Sequence, residues 1–89
     1  MPTISFFYGI IVQMFSFDDN PHHRPHIHVK YQGHKAAFAI DESILLVGDF
    51  PDKQRKLVEA WIELHKDELL ADWELAVSGE EIFKIEPLR

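Results

Sequence analysis

The chain of 89 residues contains no cysteine. Disulfides, thiolate metal sites and cysteine nucleophiles are therefore excluded together, and the composition suits a cytoplasmic protein. No apolar run reaches the ~18 to 20 residues of a membrane helix, and no membrane association is expected. The apolar stretch near the start lacks the basic region and small-residue cleavage site of a signal peptide. No internal repeat, low-complexity tract or linker interrupts the chain, and no P-loop, Ser-His-Asp arrangement or EF-hand is present. One domain over residues 1–89 is expected. Apolar residues make up 46% and aromatics 12%, enough for a real core in a small domain.

Acidic residues are missing from one place in particular. Net charge is −6, yet residues 20–40 hold Arg24, Lys30 and Lys35 and no acid, a local +3 that leaves −9 on the rest. The overall charge disfavours wholesale binding of nucleic acid. The local patch suits an acidic partner protein, with RNA as the other candidate, or it simply guards an edge strand against aggregation.

The same segment is the richest in histidine. Five of the six histidines lie between His22 and His34, in Asn20-Pro21-His22-His23-Arg24-Pro25-His26-Ile27-His28-Val29 and just beyond. Histidine titrates near neutral pH, binds transition metals and moves protons.

Thr3 to Phe17 is β-branched and aromatic, with Gly9 marking a bend or bulge, and reads as strand. Asp18-Asp19-Asn20-Pro21 is turn chemistry, and Pro25 prolongs the irregular stretch. Ile27 to Tyr31 alternates as a strand. Gln32-Gly33 predicts a two-residue hairpin turn. That register pairs Tyr31 with His34, Val29 with Ala36 and Ile27 with Phe38. Ile27, Val29, Tyr31, Phe38 and Ile40 then share an apolar face; His26, His28, Lys30, Lys35, Ala37 and Ala39 share the other. Asp41-Glu42-Ser43 turns the chain into a strand over residues 44–47.

From Pro51, which suits a first helical turn, the period changes. Leu57, Val58, Trp61, Ile62, Leu69, Trp73 and Ala76 recur at helical steps, so one long amphipathic helix is predicted to about Val77, stopped by Gly79. Ile82, Phe83 and Ile85 suggest a short terminal strand or an extended tail. The expected fold is α+β: an antiparallel meander of about four strands with one C-terminal helix on its apolar face.

His26 and His28 are two apart on a strand, so their side chains point the same way. They are the candidate catalytic residues: one as general base and one as general acid on a phosphodiester, with Arg24 or Lys30 holding the phosphate. The candidate metal ligands are His22, His23, His26 and His28, with Asp18 or Asp19 adding a carboxylate and zinc or nickel as the ion. No cofactor is required by the sequence. The plainer alternative is that the two strand histidines are half-exposed residues bonded to loop carbonyls, forming a contact surface.

His65 falls within the helical stripe, near Glu68 and Asp72. It reads as a satisfied core histidine rather than a His–carboxylate pair aimed into the sheet. Trp61 and Trp73 read as core, and Glu59, Glu63, Asp67 and Glu74 as solvated. Pro2, once methionine is removed, would resemble the N-terminal base of a tautomerase, but the helix follows the first strand too late for that arrangement.

Several segments together resemble a family of short bacterial proteins, domain of unknown function 4160. They are Met1-Pro2-Thr3-Ile4, Phe7-Tyr8-Gly9-Ile10, Asn20-Pro21, Pro25-His26-Ile27-His28-Val29, Trp61-Ile62-Glu63-Leu64-His65, and Leu69-Leu70 followed by Trp73-Glu74-Leu75. The resemblance covers nearly the whole chain. This chain departs from the family's Asn-Pro-Pro-His-x-His pattern by placing His22-His23-Arg24 inside the loop. The resemblance implies no established reaction. It implies a component of a two-gene module of the toxin–antitoxin type, and hence a protein partner, self-association or an RNA target.

Overall fold

The computed structural model describes residues 3–15 and 24–89. Its β-rich N-terminal half is an antiparallel meander. Strand β1 (Thr3–Phe7) turns through Tyr8 and Gly9 into β2 (Ile10–Gln13). Both turn residues have positive φ, 50° and 79°, the left-handed geometry that matches the twist of a tight hairpin. The expected single strand from Thr3, bent at Gly9, is therefore two strands. β3 (His26–Tyr31) and β4 (His34–Ala39) are joined in the same way by Gln32 and Gly33, with φ of 42° and 85°. β5 (Leu45–Gly48) follows the turn at 40–42. The sheet order is β1-β2-β3-β4-β5, antiparallel throughout. The meander thus has five strands rather than about four.

The β3–β4 register is the expected one: Ile27 opposite Phe38, Val29 opposite Ala36, Tyr31 opposite His34. Alternation then drives Val12, Ile27, Val29 and Phe38 into one buried layer with Val58, Trp61, Ile62 and Leu69 of the helices. Burial of such side chains contributes roughly 1.5–3 kcal/mol each. Trp61 is fully buried, and its indole N–H donates to Glu86 O at 2.8 Å.

The predicted single helix is two. α1 (Asp52–Leu64) and α2 (Lys66–Val77) are separated at His65, where φ is −119° and ψ 25°. Those angles leave the helical basin. The backbone stays bonded across the break: His65 N–H donates to Trp61 O, and Leu69 N–H donates to His65 O. Pro51 stands just before the first turn, as the N-cap.

The tail forms no strand. It runs along β1, with Ile85 N–H donating to Ile4 O at 2.8 Å and Ile85 buried. No helix among the described residues is long and apolar enough to cross a membrane.

Candidate functional site

Both helices contribute to the buried layer on one side of the sheet. The other side is built from the alternate residues of each strand. Register aligns them in two rows across the sheet. Thr3, Gln13, His28, Ala37 and Val47 are successive Cα partners through all five strands, and Phe6, Ile11, Lys30 and Lys35 form the row beside them. The small Ala37 opposite His28 leaves space. A recess of about 330 Å³ opens there, lined by Gln13, Phe15, His28, Lys30, Lys35 and Val47 with Ala36, Ala37 and Gly48.

Close approach of β4 and β5 holds the wall of this recess. A Cβ on Gly48 would lie 2.3 Å from Lys35 O and 2.7 Å from Ala36 Cα, and Gly48 has a φ of +99°. Only glycine satisfies both conditions without displacing backbone.

The two strand histidines come together as expected. The rings of His26 and His28 lie 5.0 Å apart, near perpendicular. Phe15 packs edge-on against His28 at 4.2 Å. His26 Nδ1 is 2.9 Å from Arg24 O. A carbonyl only accepts, so Nδ1 donates in this contact.

The expected separation of the histidine face from the helix is corrected at one point. The His26 ring packs 5.0 Å from Trp73 of α2, because α2 reaches the end of the histidine row. His28 faces the recess, whereas His26 stands between it and the helix layer.

Arg24, a candidate phosphate holder, is committed elsewhere. Its guanidinium donates to Glu42 and, at 2.9 Å, to Asp41 Oδ1. Those two hydrogen bonds push its pKa higher still. Partial burial raises the Asp41 carboxyl, but the Arg24 hydrogen bond and charge outweigh it and hold the group below its ordinary value. Beside it, the Ser43 hydroxyl donates to Glu63 Oε1 at 2.7 Å, and Lys66 reaches both Glu63 and Asp41 O. The Ser43 bond, then Lys66, lowers the Glu63 pKa. This network ties the β4–β5 turn to the helix junction. Of the two candidate phosphate holders, Lys30 is the one that stays on the histidine face.

His65 donates from Nδ1 to Glu68 Oε1 at 2.7 Å and lies against Trp61. It is a partnered residue at the helix break, outside the recess. Asp72 has a separate partner: its Oδ1 accepts Phe83 N–H at 3.0 Å.

His22, His23, Asp18, Asp19 and Pro2 lie outside the described residues, and with them two of the four candidate metal histidines. Among the described residues, no group of three His, Cys, Asp or Glu could hold a metal ion. Gln13, Phe15 and Val47 fall in expected strands but are not among the site residues that the sequence offers. Gln13 and Val47 join the site through the pairings β2–β3 and β4–β5. The signal that would have found Gln13 is Tyr8-Gly9, a two-residue turn that splits the first strand and sets its register.

A family model described as Domain of unknown function (DUF4160) matches residues 9–74, most of the chain. No curated protein and no solved structure matches it.

Proposed function

The chain belongs to the DUF4160 family, and we propose that it is a protein-interaction module that docks a partner polypeptide on the open face of its sheet. It serves as one component of a two-gene, toxin–antitoxin-like system in the bacterial cytoplasm. The observation that carries this reading is that face. Phe6 and Val47 stand on its two edge strands, 61% and 66% exposed, with Lys30 and Lys35 on the strands between. Exposed apolar groups and charge sharing one open face are the composition of a contact surface. An acidic segment of the partner would complement the lysines.

The test is coexpression with the product of the neighbouring gene from the native host, followed by sizing. A stoichiometric complex is expected, and Val47→Asp or Phe6→Asp should dissolve it without changing the fold. A chain that remains alone and monomeric overturns the reading, as does a complex indifferent to both substitutions.

A second reading has its own observation in the adjacent rings of His26 and His28, with Lys30 on the same face. A ribonuclease-like pair would use one ring as base and the other as acid. It requires growth arrest on expression, relieved by His26→Ala or His28→Ala. Unimpaired growth with intact RNA rejects it.

A further inference from the structure

Lys30 and Lys35 are direct partners across the β3–β4 ladder. Like charges placed opposite each other destabilise a ladder. Among the described residues no carboxylate lies within ion-pair distance of either, as is true also of Lys53, Lys56 and Lys84, but only Lys30 and Lys35 face each other across a ladder. The two ammonium groups therefore place about +2 at the mouth of the recess beside His28.

Three features narrow what such a site takes. A phosphate monoester carries about −1.5 to −2 near neutral pH, which matches two lysines; a single carboxylate would leave one uncompensated. The recess, about 330 Å³, falls at the small end of the roughly 300–1,000 Å³ found for small-molecule sites. Its walls include the edge-to-face pair Phe15 and His28, an aromatic surface that accommodates a flat ring. Gln13 lines the same space, and its Oε1 is buried without a donor. That atom is closed to solvent, so the amide's contribution to a ligand would come from the part of Gln13 that lines the recess, and a side-chain amide is suited to the hydrogen-bonding edge of a nucleobase. The −9 carried by the rest of the chain disfavours a long polyanion and tolerates a compact one.

We propose that the recess between Lys30, Lys35 and His28 binds a phosphate monoester carried on an aromatic body, of the class of a nucleoside monophosphate. This goes beyond the docking role, since it assigns a small-molecule site within the same face. The phosphate lies between the two lysines and the ring enters against Phe15.

Calorimetric titration and amide-shift mapping of the whole chain test this with AMP, adenosine, inorganic phosphate and a hexauridylate strand. AMP is expected to bind and to shift Gln13, His28, Lys30, Lys35 and Val47. Adenosine and inorganic phosphate should each bind about tenfold or more weaker, because each lacks one half of the recognition. Lys30→Gln and Lys35→Gln should each weaken AMP by about tenfold. Val47→Glu, at an exposed position, should do the same by placing a carboxylate at the mouth. Any of four results overturns the proposal: no AMP binding at about 1 mM, equal affinity for AMP and adenosine, phosphate as tight as AMP, or hexauridylate tighter than AMP. Partner binding measured separately is unaffected by such a result, so the two readings fail independently.

Discussion

The imidazole of His26 packs between two rings, 5.0 Å from Trp73 of α2 and 5.0 Å from His28 of its own strand. The histidine row is thereby anchored at one end by the helix layer, and its other end is open at the recess. Trp73 is half-buried against the core, so Trp73→Ala should cost about 2–3 kcal/mol, less than for a fully buried tryptophan. His26→Ala and Trp73→Ala should couple by about 0.5–1.5 kcal/mol in a double-mutant cycle, the range for aromatic pairs. Urea denaturation reads this directly. Strict additivity would show that the two rings are neighbours without interaction.

Lys35 faces Lys30, which leads to a prediction opposite in sign to most substitutions. Lys35→Glu converts a like-charge pair into an ion pair. It should stabilise the fold by about 0.5 kcal/mol, and less at high salt. The same change should remove AMP affinity. A stability gain accompanied by loss of binding is what a residue kept for its charge produces. A destabilised Lys35→Glu protein would mean that the two ammonium groups already avoid each other.

Asp72 governs part of the pH dependence. Burial raises its pKa, opposed by the Phe83 amide and helped slightly by Glu68. Its second oxygen, Oδ2, is buried without a partner. A carboxyl with a raised folded pKa holds its proton more firmly in the native state. Stability therefore falls as pH rises through that folded value, and the deficit is complete above it. Asp72→Asn keeps the Oδ1 acceptor for Phe83 and removes the charge. It should raise Tm at about pH 7, with the gain shrinking as pH falls towards about 4. Glu63 and Asp41 act in the opposite sense. Their pKa values are lowered, so their contribution is present above the ordinary carboxylate range and is lost as pH falls through the folded values. The Asp72→Asn variant should keep that acid limb. Melting curves across this range check both signs.

Much of the central hairpin was legible in the residues. Gly33 supplies positive φ to a two-residue turn bounded by clean alternation on both sides, and that places Ile27 opposite Phe38. Tyr8-Gly9 makes an equivalent turn, but a glycine within a β-branched and aromatic run equally fits a bulge in one strand, so the local pattern does not separate the two. The helix break at His65 left no mark in the hydrophobic period. Leu57, Val58, Trp61 and Ile62 on one side and Leu69, Trp73 and Ala76 on the other keep helical spacing whether or not one residue between them changes its dihedrals.

The sequence by itself determined that His26, His28, Lys30 and Lys35 share a face, because a two-residue turn sets the register and strand alternation does the rest. Tertiary structure alone decided which neighbours that face has. Gln13 and Val47 lie beside His28 and Ala37 through pairings with β2 and β5. Trp73 of α2 meets His26 of β3 at a sequence distance that no local pattern encodes. Contacts of this kind join residues far apart in the chain, and they follow from how whole elements bury their apolar faces together rather than from any local pattern.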